Sequence, residues 1–224
     1  MKELRQYIRQ ILLTEAMKTE TDLPEDIGVE IVTDEEDYAY IGYCVVDKNG
    51  NHIQSLSPGL ETAEATVFAS TPRPLPEEFQ NPSGIFGTIA MERLSTWEDP
   101  DCEGAFIVVN SVSSPGYGPL LYDIAIEYAS ILGSGLVSDR YNVSGDAQKI
   151  WNRYAVRSDV DQFQCDDENN TLTPIDSDNL EQHAARKTAS AGANFTTSPL
   201  SKRYSKQPTR MNSLKSLGKL VFRN

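Results

Sequence analysis

Between Ala105 and Val137 a short apolar run, a glycine loop, a long periodic segment and a second short apolar run follow one another. That order restricts the fold more than any other feature of the chain. Ala105-Phe106-Ile107-Val108-Val109 is short and rich in β-branched residues, which suits a strand buried on both faces. It gives way to polar Asn110 and Ser111, then to Ser113-Ser114-Pro115-Gly116-Tyr117-Gly118-Pro119. Gly116 and Gly118 let the backbone turn tightly and approach a ligand, and Pro119 has the fixed φ that suits the first position of a helix. Leu120, Leu121, Ile124, Ala125, Tyr128, Ala129 and Leu132 recur at helical spacing and form one apolar stripe, which Gly133-Ser134-Gly135 stops. Leu136 and Val137 then begin a strand that Ser138-Asp139-Arg140 ends. A strand, a helix and a strand in this order predict a parallel pair with a crossover helix. The start of that helix, through its dipole and unpaired N–H groups, favours an anion.

Upstream, the pattern changes to antiparallel sheet. Val29-Glu30-Ile31-Val32 alternates toward one face, Tyr40 to Val46 is a strong strand, and Asp47-Lys48-Asn49-Gly50-Asn51 is a hairpin turn leading to His52 through Leu56. Leu60 to Ser70 reads as a short helix, and Pro72, Pro74, Pro76 and Pro82 impose an irregular loop. Ile85 to Leu94 resumes the sheet, with Trp97 after it as a core or lid aromatic. At the other end, Leu4, Tyr7, Ile8, Ile11 and Leu12 share a helical face, so residues 2–16 read as an amphipathic helix followed by a linker from Thr19 to Asp26. A helix of that length is marginal alone in water and needs a partner.

With 224 residues, 39% of them hydrophobic, the chain is able to bury one sizeable core. No apolar run approaches the length of a membrane span, and the first residues lack the apolar centre of a secretory signal. Cys44, Cys102 and Cys165 are odd in number and far apart, which reads as reduced thiols; with only His52 and His183 to join them, no metal site is expected.

Gly116-Tyr117-Gly118-Pro119-Leu120-Leu121, followed by Ala125, Ala129, Gly133, Leu136-Val137-Ser138-Asp139 and a further helix carrying Ser144, Ala147 and Trp151, resembles the GNAT family of acyl-CoA-dependent N-acyltransferases. More closely it is similar to GNAT-like proteins of marine tailed phages, which share the Gly-Pro-Leu-Leu-Tyr-Asp helix start. The resemblance covers about residues 100 to 160. It implies an α/β fold with a GNAT-like mixed sheet flanked by helices over residues 26–165. Residues 1–25 are then an N-terminal amphipathic helix and linker, and residues 166–224 a C-terminal extension that is basic from residue 183. It also implies acetyl-CoA or another acyl-CoA as cofactor, with Gly116, Tyr117 and Gly118 and the neighbouring Ser113 at the pyrophosphate, and with Asn110 and Ser111 pairing to the pantetheine arm. The reaction implied is transfer of an acyl group to an amine. Ser113 stands where the family has Arg or Gln, and Pro119 removes one N–H from the first turn. Trp151 occupies the position seven residues after Ser144 at which many members carry a tyrosine acid. Tyr154, one turn further, is the substitute candidate for general acid, and Glu92 on the strand before the loop is the candidate base. A non-catalytic virion or head-associated protein that keeps the fold is the competing reading.

Charge separates the chain into two parts. From His183 to Asn224 there are nine Lys or Arg and no Asp or Glu, whereas residues 1–182 hold 11 basic and 33 acidic residues, a net charge of −22. A basic arm beside an acidic body is expected to pack back on that body or on a neighbouring subunit rather than on nucleic acid. Leu214, Leu217, Leu220, Val221 and Phe222 read as a short amphipathic docking helix. The partners expected are a second copy or phage structural proteins, engaged through the N-terminal helix and the basic tail. Leu13-Thr14-Glu15 before Ala16 fits the cleavage pattern of the capsid-targeting peptides of tailed phages related to T4. That resemblance implies a location in the host cytoplasm or the virion.

Overall fold

Tyr38-Ala39-Tyr40-Ile41-Gly42-Tyr43-Cys44-Val45-Val46 is aromatic and β-branched along almost its whole length, and it forms the longest strand, β2 (Tyr38–Val46), of the computed structural model. The structure describes residues 18–34, 37–57, 81–94, 104–138, 143–164 and 199–223. Around β2 lie β1 (Ile27–Asp34), β3 (His52–Ser55), β4 (Gly87–Arg93), β5 (Phe106–Ser113), β6 (Leu136–Val137), β7 (Asp161–Gln164), β8 (Lys202–Ser205) and β9 (Leu220–Arg223). Among the described residues the α-helices are α1 (Gly118–Leu132), α2 (Gly145–Tyr154) and α3 (Thr209–Ser216), so the fold is α/β. The nine strands form one mixed sheet in the order β7-β8-β6-β5-β4-β2-β1-β9, with β3 paired to β2 beside β4. Only β5 with β6 and β1 with β9 run parallel.

The hairpin between β2 and β3 turns as its Asn49-Gly50 pair predicts. Gly50 has φ +80°, and the Asp47 carboxylate accepts the N–H groups of Asn49 and Asn51, each at 2.8 Å. On one face of the sheet Ile31, Ile41, Ile89 and Ser111 lie side by side, and α1 packs there, the Ser111 and Tyr122 hydroxyls being 3.0 Å apart. Glu30, Gly42, Thr88 and Val112 share the opposite face. The core between α1 and the sheet takes in Val29, Tyr43, Phe106, Ile124, Tyr128, Trp151, Tyr204 and Leu214.

Several expectations meet a different outcome. The helix after the loop starts one residue early, at Gly118, which leaves Pro119 still in its first turn. Thr19 to Asp26 is not a free linker: Glu20–Asp22 is a 3-10 turn, and Glu20 and Leu23 are buried. Its anchors come from the far end of the chain, since Lys219 Nζ donates to the Leu23 and Pro24 carbonyls at 2.7 Å. The apolar residues near Asn224 do not form one helix. Gly218, at φ +67°, closes α3, and Leu220, Val221 and Phe222 then find ladder partners on β1. The sheet therefore takes in β8 and β9, both from the segment read as an extension. The expected helices at residues 2–16 and Leu60–Ser70 lie outside the described residues, as do Pro72 to Pro76, Trp97, Cys102 and Cys165. Among the described residues no helix is long and apolar enough to cross a membrane.

Candidate functional site

The loop from β5 to α1 is held from several directions. Ser114 is buried, and its hydroxyl lies 3.3 Å from the Phe86 carbonyl and 3.4 Å from the Phe86 N–H. Gly116 adopts φ +85°, a conformation that favours glycine, and its carbonyl accepts the Lys18 N–H at 3.0 Å. The Tyr117 carbonyl accepts the Tyr43 hydroxyl at 2.8 Å, and the two rings meet edge to face with centroids 5.8 Å apart. Burial pushes the Tyr43 hydroxyl well above the ordinary tyrosine range, so it remains a donor. Tyr117 is the N-cap residue of α1 and supplies no side-chain cap. Ser113 packs against the mouth of the helix: a Cβ on Gly118 would lie 2.8 Å from its Oγ, a contact that rotation of the serine side chain would relieve.

Among the described residues, one flank of the strand leading into this loop is paired for only part of its length. β6 pairs with β5 only at Phe106↔Leu136 and Ile107↔Val137, so Val108 to Ser113 have no β6 partner on that side. On the other flank β4 follows β5 to Gly87↔Ser113, with a bulge at Val109, because Ala90 opposes Asn110 while Met91 opposes Val108. Val109 is 53% exposed. Asn110 and Ser111, as neighbours on a strand, point to opposite faces, with Ser111 on the α1 side.

The two expected catalytic residues fare differently. Tyr154, the last residue of α2, lies beneath the first turn of α1. Its hydroxyl donates to Asp123 Oδ1 at 2.9 Å and is 3.4 Å from the Pro119 carbonyl. It is buried, and desolvation followed by the Asp123 charge raises its pKa well above the ordinary value. Glu92 is half-buried on β4, paired across to Tyr38 and Ile107. Since Gly87 is the β4 residue opposite Ser113, Glu92 stands about 16 Å back along the strand from the loop, at roughly 3.3 Å per residue. The fold thus brings Ser111, Ser113, Gly116, Tyr117, Gly118 and Tyr154 to one end of α1 and leaves Glu92 at the other end of the sheet. Trp151 is a core residue, 1% exposed, stacked on Tyr204 at 5.3 Å and edge-on to Tyr122 at 5.5 Å.

Behind this mouth lies a buried charge network that pattern reading missed. Asp123 accepts Arg157 at 2.5 Å and Arg210 at 3.4 Å, and Arg210 also reaches Glu20 at 2.7 Å. Arg157 grips Asp159 with two nitrogens, at 2.8 and 2.6 Å, and holds the Asp159 carboxyl below the usual range. Glu127, fully buried, accepts Lys206 Nζ at 2.5 Å, the Thr209 hydroxyl at 2.9 Å and the backbone N–H groups of Arg210 and Met211 at 2.9 and 2.8 Å. It caps α3 from another helix, because Pro208 at the N-cap position has no side-chain oxygen. The available signal was an i, i+4 acid pair inside an apolar helix together with a basic tail. On the opposite face of the sheet, buried Glu30 lies 3.1 Å from His52 Nε2 and accepts Arg223 at 2.9 Å and the Ser55 and Ser57 hydroxyls. Among the described residues no group of His, Cys, Asp and Glu side chains has the arrangement of a metal site.

No protein-family model matches the chain, and comparison with curated proteins and with solved structures likewise yields no match.

Proposed function

We propose that the chain is a GNAT-like protein that binds acetyl-CoA or another acyl-CoA at the mouth of α1 and uses it to acylate an amine. The observation that carries this reading is the union of a helix start without a side-chain cap and a strand flank that, among the described residues, has no strand partner beyond the end of β6. A diphosphate fits the first feature through the helix dipole and the amides of Gly116 and Gly118, beside the small Ser113, while the Tyr117 N–H is already donated to the Ser114 carbonyl at 3.2 Å. An extended amide-bearing arm fits the second, since the β5 backbone at Asn110 and Ser111 offers strand-like pairing. Gly116 and Gly118 would hold the diphosphate, with the Ser113 hydroxyl beside them; the expected Tyr117 amide is committed to the Ser114 carbonyl and would have to be released to join them. When bound, the cofactor supplies a thioester activated toward nucleophiles. What the chain contributes is orientation, through the Tyr43 and Lys18 hydrogen bonds that fix the loop.

A specific observation favours the competing reading, in which the fold persists as a non-catalytic protein, in the phage setting a virion or head-associated one. The Tyr154 hydroxyl is committed to Asp123 inside the core, and Glu92 is remote from the loop, so neither is poised for proton transfer. One thermal-unfolding series separates the readings. Acetyl-CoA at a hundred times its Kd should stabilise the protein by about 2.7 kcal/mol. Absence of stabilisation at millimolar acetyl-CoA removes the acyl-CoA reading. Stabilisation without transfer to any of a panel of primary amines leaves binding and removes catalysis.

A further inference from the structure

Arg210 is where the C-terminal part of the chain comes within reach of the β5–α1 loop. It lies in the first turn of α3, and its backbone N–H donates to Glu127 Oε1 at 2.9 Å, so the side chain leaves from a fixed base. The guanidinium then donates in two directions, from Nη1 to Glu20 Oε2 at 2.7 Å and from Nε to Asp123 Oδ2 at 3.4 Å. Both acceptors are buried, with side-chain exposures of 9% and 5%, and a carboxylate removed from water depends on the donors it retains.

Each acceptor is joined to the loop by a short path. Glu20 opens the 3-10 turn, which the Asp22 carboxylate holds by accepting the Thr19 N–H and hydroxyl, both at 2.8 Å. Lys18, next to Thr19, donates its N–H to the Gly116 carbonyl at 3.0 Å. Asp123, on α1, accepts the Tyr154 hydroxyl at 2.9 Å, and that hydroxyl stands 3.4 Å from the Pro119 carbonyl. One arm therefore ends at Gly116 and the other at Pro119, on either side of Tyr117 and Gly118. Arg157 also donates to Asp123, at 2.5 Å, but its other grip is on Asp159, two residues along its own segment, so its fork stays on the Asp123 side.

Two separate acceptors call for donors on a rigid planar fork, which arginine has and the compact ammonium of lysine lacks. We propose that Arg210 is a positioning residue of the β5–α1 loop: by tying the Glu20 turn to Asp123 it fixes the Gly116 carbonyl relative to the first turn of α1. The effect on the loop stands on these hydrogen bonds alone; the effect on acyl-CoA rests on the function proposed above.

Hydrogen exchange of the full chain, read at the Lys18 and Tyr117 amides, tests the tie, because these donate to the loop carbonyls of Gly116 and Ser114. Arg210→Met keeps the backbone N–H and an aliphatic stem but no side-chain donor. It should speed both amides about tenfold or more, and by a larger factor than the Ile41 and Tyr43 amides at the centre of β2. Arg210→Lys should recover only part of the protection, since an ammonium satisfies one carboxylate of the two. Glu20→Gln should speed the same amides, and adding it to Arg210→Met should give less than the product of the separate factors. Equal acceleration in the loop and in β2 assigns Arg210 to global stability alone, and unchanged rates at Lys18 and Tyr117 mean that the loop is set without it; either result overturns the proposal. Acetyl-CoA supplies the second readout, with a Kd raised about tenfold expected for Arg210→Met. A faster loop with an unchanged Kd overturns the role at the site. A faster loop with no acetyl-CoA stabilisation of the wild type supports the positioning and removes the acyl-CoA reading.

Discussion

Glu127 shows how one side chain fixes a distant part of the fold. A carboxylate at full burial is costly unless every lone pair is used, and here four donors from Lys206, Thr209, Arg210 and Met211 meet it. Lys206 Nζ is itself buried, with a side-chain exposure of 2%, so the two charges depend on each other. Glu127→Ala should therefore destabilise by about 3–5 kcal/mol, the usual consequence of leaving one partner of a buried pair uncompensated. Denaturant unfolding measures this directly, and a loss below 1 kcal/mol would show that Lys206 finds water or another anion. The residue was legible only as a charged position in a helix, since nothing within four residues of Glu127 announces partners some eighty positions away. Trp151 likewise meets its aromatic cluster of Tyr122, Tyr154 and Tyr204 only in the folded chain, Tyr122 and Tyr204 coming from other elements.

At the scale of elements, α1 illustrates the limit of periodicity. Its sequence displays one apolar stripe, yet every residue from Leu120 to Ala129 is buried, Asp123 and Glu127 included. The second face is covered because β8 and α3 come back over it. The crossover itself was legible, from the β-branched run, the loop glycines and the stop at Gly133. A Cβ at Gly133 would sit 1.8 Å from the Gly104 carbonyl, so glycine also answers a close approach there. The C-terminal strands were not legible, because Lys-Arg-Tyr-Ser and Leu-Val-Phe-Arg are four-residue segments too short to show a period. β7 has β8 as its sheet neighbour and β8 joins it to β6, so the last strands are structural members of the sheet. A chain ending at residue 198 should lose cooperative unfolding and the near-ultraviolet dichroism of the Trp151 cluster. A truncated protein that melts sharply, with that signal intact, would contradict this.

For the whole molecule, charge is the organising variable. A body of −22 and a basic arm of +9 would be a liability if they faced solvent separately. They meet instead in the pairs Glu127–Lys206, Asp123–Arg210, Glu20–Arg210 and Glu30–Arg223. Acid should act through the carboxylates whose pKa values are depressed. Asp159 is held low chiefly by its hydrogen bonds to Arg157, so its contribution is complete above the unfolded aspartate value near 4 and is lost as pH falls through the lower folded value. The stability gap between the wild type and Asp159→Asn should thus be constant above about pH 5 and should close below about pH 4. Thermal melts across that range provide the measurement, and a gap that widens on acidification would reverse the assignment.

By itself the sequence determined what depends on neighbours along the chain: the β-branched strands, the Asn49-Gly50 turn, the glycine loop and the parallel crossover that places a helix start beside a strand end. Local sterics and backbone preferences are sufficient for these, and each acts within a few residues. Tertiary structure alone decided which acids are buried, which strand lies at each end of the sheet, and that Tyr154 turns its hydroxyl inward while Glu92 stands away from the loop. Those outcomes hinge on groups far apart in sequence arriving at one place, where desolvation makes an ion pair or a hydrogen bond obligatory.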